Sequence, residues 1–585
     1  MRRTCLVLAS LLLAPLVSAQ VGGTWTELCD LSTTGVQAGI GPWAGGYEIS
    51  DDGRFVVFAA PDALDPRDFT GTGTAGYDIY VRDLELDLTT LVSLDASNSN
   101  AVGWCAATDS AGPSISANGR YVAFSSAASG LVAGDPGLDW DVFVRDLQTQ
   151  VTVRCSITTS GAEPNNTCWR CSISSDGRYV AFVSGATNLV PGATSGAQQV
   201  YRFDRISGQI ALVSASAAGT PGNQSSLEPR LSADGRFVVF SSDSSNFGFT
   251  DPNATLDVYR KDMLTGQVAL VTLDFATGGA PNLGAFAQSG APAISADGRF
   301  VAFNTLVPFA PNDATAGDVY LRDMVANTHT LISVGMGGVS VGGGMGDLSA
   351  DGRHVVFSSG SSALVPNDNN GFADVFVRDL PLARTTRESV SYAGGDANGH
   401  VSALSISASG RRLVMYSQCT NLVALDNNGI WPDLFARDRG PSATPQVYCV
   451  AQQNSLGCTP AIAFAGVPSA TNANPFTITA SQLLNNKAGN LFFGLSGPQL
   501  QPFLGGYLCV RPPTVRTGTL FSGGTPFGSD CTGQFLLDFN AYIASGAQAA
   551  LQLPGTEFWA QIWSRDPASP STTNLTDALE ATVQP

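Results

Sequence analysis

ISADGRFVAF, residues 294–303, decides the fold, because the chain writes this stretch seven times. The near-copies are ISDDGRFVVF from 49, ISANGRYVAF from 115, ISSDGRYVAF from 173, LSADGRFVVF from 231, LSADGRHVVF from 348 and ISASGRRLVM from 406. Their glycines, Gly53, Gly119, Gly177, Gly235, Gly298, Gly352 and Gly410, are spaced by 66, 58, 58, 63, 54 and 58 residues. A fixed period of this length marks an array of supersecondary units. A second string follows each copy: DIYVRDL from 78, DVFVRDL from 141, VYRFDRI from 200, DVYRKDM from 257, DVYLRDM from 318, DVFVRDL from 374 and DLFARDR from 433. A third, such as TTLVSL from 89 or HTLISV from 329, follows most of these.

The runs are rich in Val, Phe and Tyr and are bounded by Gly, Asp and Asn, so each reads as a strand. Strand a ends in Ile-Ser, an Asp-Gly hairpin turn leads to strand b, a longer loop leads to strand c, and strand d closes the unit. Four antiparallel strands repeated in this way form a propeller blade. The motif Ser-x-Asp-Gly-Arg-aromatic-Val-x-Phe resembles the PD40, or TolB-like, class of WD40-related repeats over roughly residues 24–440. That resemblance implies a β-propeller of secreted bacterial type, although TolB itself has one blade fewer than these copies. The seventh unit lacks strand d, and TWTELCDL at 24–31 is an orphan strand of d-like pattern. It is expected to complete blade 7 and close the ring.

An Arg follows every signature Gly and an Asp ends every strand c. The expected pairs are Arg54–Asp83, Arg120–Asp146, Arg178–Asp204, Arg236–Asp262, Arg299–Asp323, Arg353–Asp379 and Arg411–Asp438. Alternation puts 54 opposite 83, 56 opposite 81 and 58 opposite 79. These pairs are structural, since each arginine has its partner.

The 585 residues exceed what one core organises, so more than one domain is expected. Charged residues are only 13%, with 64 Gly and 32 Pro, as in turn-dense all-β proteins. A net charge of −18 argues against nucleic acid and anionic membrane partners. The start, MRRTCLVLASLLLAPLVSAQ, has a basic Arg2-Arg3 region, a short apolar run and Val17-Ser18-Ala19 as a cleavage site. Residues 1–19 are therefore expected to be a signal peptide, and the mature chain a secreted, periplasmic or cell-surface monomer. No later run reaches transmembrane length.

Without Cys5, ten cysteines remain for an oxidising compartment. Cys29 and Cys419, both assigned to blade 7, are expected to form a disulfide that staples the closure. Cys449–Cys458 and Cys509–Cys531 are the simplest pairings among three connectivities. Structural disulfides are also expected among Cys105, Cys155, Cys168 and Cys171. Residues 441–585 lose the repeat and carry seven short apolar runs, including FLLDFNAYI from 535, which suggest a β-sandwich. SRDPASPSTTNLT, from 564, reads as a surface loop.

Chemistry is sought where the copies differ. The strand a residues just before Ile-Ser should line the channel: Glu48, Ser114, Ser172, Arg230, Ala293, Asp347 and Ser405, with Arg170 and Glu228 nearby. His400, in the loop entering blade 7, completes the candidate funnel set of Glu48, Arg170, Glu228, Arg230, Asp347 and His400. The loops between strands b and c carry clustered oxygen donors: Asp251, Asn253 and Asp257; Asp368, Asn370 and Asp374; Asp426, Asn428 and Asp433. Such spacing suits Ca²⁺, and Asx-turns that start strand c explain the same residues. No catalytic residue stands out. The expected function is non-enzymatic binding of a protein or glycan at the propeller face. An extracellular hydrolase or lyase working in the funnel, and a structural surface protein, are the alternatives.

Overall fold

The computed structural model describes residues 18–21, 24–39, 41–42, 46–68, 76–99, 105, 112–135, 139–192, 196–251, 255–281, 289–315, 317–440, 445–449, 451–469, 471, 474–554 and 556–584. Apart from Ser18 and Ala19 the expected leader lies outside these residues, as does Asn253.

Seven antiparallel sheets follow one another along residues 24–438. Blade 1 runs Tyr47–Ile49, Phe55–Ala60, Asp78–Asp83 and Leu88–Leu91 from inner to outer strand. The next five repeat that order. The last sheet takes Val401–Ile406, Arg412–Ser417 and Asp433–Asp438 from one end of the repeat and Thr24–Leu28 from the other. Thr24–Leu28 pairs antiparallel with strand c, Trp25 opposite Asp438, and so zips the ring. Ser18–Val21 adds a fifth strand outside it.

Strands b and c are buried on both sides, because each blade is covered by a neighbour on each face. The signature residues make those contacts. Each motif Gly has φ near +70°, as the turn requires. It also seats the aromatic that follows the Arg of the preceding blade: Phe55 on Gly119, Tyr121 on Gly177, Tyr179 on Gly235, Phe237 on Gly298 and Phe300 on Gly352. A Cβ at Gly177 would fall 2.1 Å from the Tyr121 ring. His354 plays this part against Gly410, and Arg412 lies more loosely against Gly53.

The seven Arg–Asp ion pairs are all present, at 2.6–2.9 Å. The register differs from expectation by one residue: Phe55, not Arg54, lies opposite Asp83, and Val57 lies opposite Val81. The Asp-Gly turn keeps Arg54 outside the strand, from where its guanidinium reaches Asp83 diagonally in two hydrogen bonds of 2.8 and 2.6 Å. In five blades the same guanidinium lies over the aromatic that follows it, as Arg54 does over Phe55 at 4.9 Å. The turn Asp accepts two residues on, Arg54 N–H to Asp52 at 2.9 Å.

The a–b turns are tied into a closed circle by backbone hydrogen bonds of 2.9–3.1 Å. Asp52 N–H bonds Ala117 O, and the chain of bonds continues through Ser175, Ala233, Ala296, Ala350 and Ala408, whose N–H returns to Asp51 O.

The cysteine expectations need correction. Cys29 and Cys419 are free and buried. They lie on opposite faces of the closing blade: Cys29 packs with Tyr47, Val56 and Tyr80 of blade 1, Cys419 with Val375 and Val377 of blade 6. Cys105, Cys155, Cys168 and Cys171 are also free and buried. The disulfides are Cys449–Cys509 and Cys458–Cys531. Cys458 closes a turn on Asn454 and pairs with Cys531, and Cys449 pairs with Cys509 on the strand Gly506–Val510.

Residues 446–583 form two packed sheets and a separate two-stranded hairpin, Pro498–Phe503 with Gly506–Val510. One contains Gln446–Tyr448, Thr573–Thr582, Glu557–Arg565 and Ala488–Gly494, with Thr514–Arg516 and Leu520–Phe521 at its edge. The other contains Ala461–Ala465, Thr477–Leu483 and Gly533–Asp538. Phe476, Ile478, Phe493, Phe535, Phe558 and Ile562 are buried between them. FLLDFNAYI is not one strand: Asp538 caps a short helix, Phe539–Ala544, by accepting from Ala541 N–H. The loop from Ser564 is shorter than expected, since Thr573 already pairs with Arg565.

This sandwich stands on the circle of turns. Ala117, Ala233, Ala296, Ala350 and Ala408 share a core with Leu500, Val510, Trp559 and Tyr448. Arg511 bridges Glu85 and Asp52 at 2.6 and 3.3 Å, and Arg411 pairs with Glu557.

If the aromatic-on-glycine contact holds the blades together, Gly177→Ala should lower stability by about 2–4 kcal/mol, combining positive-φ strain with overpacking. Gly130→Ala, where φ is also positive but nothing lies within 4 Å, should cost only about 1 kcal/mol. Urea unfolding of both variants checks this, and equal losses would sink the idea.

Candidate functional site

The channel wall is made by the inner strands, and bulges in those strands aim its side chains. Register shifts occur between Trp169 and Ser172, Leu227 and Arg230, Gly290 and Ala293, Met345 and Asp347, and Ala403 and Ser405. Arg170, Glu228 and Ala291 sit at these bulges with φ of 52°, 56° and 48°. Non-glycine residues held there are strained, and such strain concentrates at functional sites.

The position before Ile-Ser has a regular task. Its side chain accepts the backbone N–H of the equivalent Ile or Leu in another blade: Glu48 from Ile115, Ser114 from Ile173, Ser172 from Leu231, Asp347 from Ile406 and Ser405 from Ile49, at 3.1–3.3 Å. Two positions depart from this pattern. Arg230 and Ala293 have no acceptor to offer, and they stand side by side in blades 4 and 5. Arg230 makes no ion pair with any described residue and is exposed, as is Ala291 beside it.

These residues border one cavity of about 370 Å³, within the range that small ligands fill. Glu48, Arg170, Glu228, Arg230 and Asp347 all line it. His400 does not. Its Nδ1 accepts from Ala373 N–H at 3.0 Å and its ring meets Phe372 edge-on, at the end of the blade 6 b–c loop.

Two lining residues were missed from sequence. Asp51 stands where other copies have Ala or Ser, a visible signal, and its carboxylate accepts from Ser175 Oγ at 2.7 Å across the floor. Leu500, from the hairpin Pro498–Phe503 and Gly506–Val510, closes the floor from the sandwich. Nothing in its local sequence marks it. The channel is therefore blind at the circle of a–b turns.

The charges within the cavity respond to burial. Desolvation pushes Glu48 up to about 7 against the pull of Arg230, and Asp347 up to about 6. Asp51 is pushed up to about 6 by the same cause. Glu228 accepts from Ser241 Oγ and Ala291 N–H, both at 2.8 Å, and lies 3.9 Å from Arg170. Arg170 in turn covers the Trp169 ring at 4.6 Å.

The b–c loops differ among themselves. In blade 6, Asp368 and Asp374 face the Arg387 guanidinium at 3.2 and 3.7 Å, and Asn370 donates to Asp374. In blade 4, Asp257 accepts from Thr272 Oγ1, Asp251 lies in the same loop and Asn253 is outside the described residues. In blade 7, Gln37 donates to both Asp426 and Asp433, and Asn428 donates to Asp433. Among the described residues no three His, Cys, Asp or Glu side chains gather closely enough to hold a metal alone.

The blade order, the zipped closure and the copied motif together decide the fold. It is a β-propeller. No family model matches the sequence, and no curated protein matches it. Among solved structures, TolB from Acinetobacter baumannii is 14% identical with a TM-score of 0.32; the match covers 58% of this chain and 64% of that one. The propeller chain thus spans a little under two thirds of that TolB's length. An oligogalacturonate lyase from Vibrio parahaemolyticus is 12% identical over 68% of this chain and 90% of its own, with a TM-score of 0.42. A GH74 xyloglucanase from Xanthomonas campestris is 11% identical over 94% and 81%, with a TM-score of 0.37. A propeller fold does not decide function, which is left to the site. No described helix of the propeller protein is long and apolar enough to cross a membrane, and its two disulfides fit an extracellular or periplasmic compartment.

The sign of the Glu48 shift makes a prediction. Its folded value lies above the ordinary one, so folding takes up a proton, and the associated stability is lost as pH rises from about 4.5 to about 7. Glu48→Gln should remove that loss, gaining about 1–3 kcal/mol on wild type between pH 5 and pH 8. Urea midpoints across this range test it, and a constant difference would contradict the assignment.

Proposed function

We propose that this is an exported binding protein whose blind channel receives the carboxylate-bearing end of a protein or glycan ligand. The observation that carries the reading is Arg230: at the one charged position where the inter-blade bond is given up, a guanidinium without an ion-pair partner among the described residues faces a cavity of ligand size. Arg is suited to hold a carboxylate through two parallel hydrogen bonds. Glu48 and Asp347 flank it and accept backbone N–H groups from adjacent blades, so they set the charge of the wall as well as its shape. Carboxylates held this way are positioned to discriminate among ligands by pH and charge, a role that needs no chemistry.

The hydrolase or lyase reading is favoured by one feature, a Glu48 carboxyl that titrates near neutrality beside the same cavity. It is the second choice because Glu48 is committed to Ser114 and Ile115.

Titration calorimetry with tripeptides bearing free or amidated carboxyl ends, and with uronic-acid trisaccharides, tests the proposal. One class of free-carboxylate probe should bind, and Arg230→Ala should weaken it by ten-fold or more, corresponding to about 1.5–3 kcal/mol for a charged hydrogen bond. Equal binding of the amidated probe, or turnover of a probe by the wild-type protein, would overturn it.

A further inference from the structure

The loop between the sandwich strands Leu520–Phe521 and Gly533–Asp538 is held in place without being buried. Asn485, itself buried, clasps it from three sides. Its amide donates to Thr525 O at 2.8 Å and Gly528 O at 3.2 Å, and its side-chain oxygen accepts Asp530 N–H at 3.1 Å. Asn486 donates to Thr525 O at 2.7 Å. The two legs of the loop are joined by Gln534 N–H to Ser522 O at 2.6 Å and by Thr525 N–H to Thr532 Oγ1 at 2.9 Å. The disulfide Cys458–Cys531 fixes the returning leg to the segment that leads into Ala461–Ala465.

This order comes from polar bonds and a disulfide, and the apolar side chains point outward. Phe527, at the tip, is 89% exposed, more than any other large apolar side chain among the described residues. Phe521, at the base, is 73% exposed. Ordering a loop costs conformational entropy at every residue, and an aromatic ring left in water gives up a large burial gain. A rigid frame that presents such rings has met the ordering cost of binding in advance, and aromatic anchors dominate recognition.

The surroundings define the partner. Asn486, Thr525, Ser529, Thr532 and Gln534 are exposed around the rings, all hydroxyls and amides. Asp530 is the only charge of the loop, and the Thr525 and Thr532 hydroxyls donate to it. Two phenylalanines offer about 300–500 Å², against about 800 Å² per partner in a stable protein contact. An anionic lipid surface calls for a basic rim, which this acidic chain does not provide here. A sugar ring fits both features: its apolar C–H face stacks on a phenyl ring, and its hydroxyls meet the hydroxyls and amides at the edge.

We propose that the Ser522–Thr532 loop with Phe521 is a second binding site, for a neutral polysaccharide, and that Phe527 and Phe521 are the platforms on which sugar rings stack. It is independent of the channel, where Arg230 selects a charged end group. This loop takes an uncharged chain.

The test is retention of the full chain on three insoluble neutral polysaccharides, cellulose, chitin and β-1,3-glucan, read as depletion from solution in excess serum albumin. Wild type should be retained on at least one. Retention should persist in about 1 M salt, where charges more than about 3 Å apart are screened. Phe527→Ala combined with Phe521→Ala should weaken it ten-fold or more at an unchanged melting midpoint, because neither ring is packed. Phe527→Trp should retain binding, and Arg230→Ala should leave it unchanged. Retention of wild type on none of the three, undiminished retention of the double alanine variant, or loss in albumin or salt would each overturn the proposal. So would loss in Arg230→Ala, which would place the glycan in the channel. Sedimentation with phosphatidylcholine vesicles that depends on Phe527 would overturn it in favour of a lipid surface.

Discussion

Six of the seven seams of the ring depend on the contact of an aromatic ring, imidazole included, with a glycine of the next blade, and only the closing seam uses Arg412 instead. A blade is apolar on both faces and has no stable existence alone, so its neighbours must approach closely and at a repeated angle. Phe55, Tyr121, Tyr179, Phe237 and Phe300 set that approach from one side, and Gly119, Gly177, Gly235, Gly298 and Gly352 permit it from the other. The arginine between them covers the exposed face of the ring and is anchored by the strand c aspartate. Gly, Arg and aromatic are thus three neighbours in sequence with contacts in three directions: the turn, the same blade and the adjacent blade. The circle of backbone hydrogen bonds follows from that spacing.

Much of this was legible. The period, the turn chemistry, the four strands and the zipped closure are local patterns repeated, and repetition separates a pattern from chance. What the sequence hid depends on faces and distances. Arg54 finds Asp83 despite a register shifted by one residue, because a long side chain absorbs the difference. Cys29 and Cys419 do not bond because they pack into cores on opposite faces of the blade, and a shared sheet says nothing about a shared face. The pairing in the sandwich, and its seat on the circle of alanines, arise from packing between distant segments. Of the candidate channel residues, those on strand a could be placed by their position before the Ile-Ser or Leu-Ser signature. His400 could not, since loop length does not report direction.

The division of labour within strand a explains how one scaffold accommodates a site. Acceptors at Glu48, Ser114, Ser172, Asp347 and Ser405 bind adjacent blades, and this bond is worth about 1 kcal/mol at each step. A ring with many such bonds tolerates the loss of two. Blades 4 and 5 give them up and in return present Arg230 over a space bounded by Ala293 and the bulge at Ala291. The unpaired guanidinium thus stands where the repeat is weakest as a structural device.

The shared last blade has a consequence for how the molecule comes into being. Thr24–Leu28 is among the first segments synthesised, but the edge it pairs with, Asp433–Asp438, is among the last of the ring. Throughout most of translation the finished blades form an open arc with an uncovered apolar face at each end, the kind of surface that invites aggregation. Completion is a single late event that joins the two ends of the arc and covers both faces at once. A chain interrupted before residue 433 would contain most of the repeats and still be unable to become a ring.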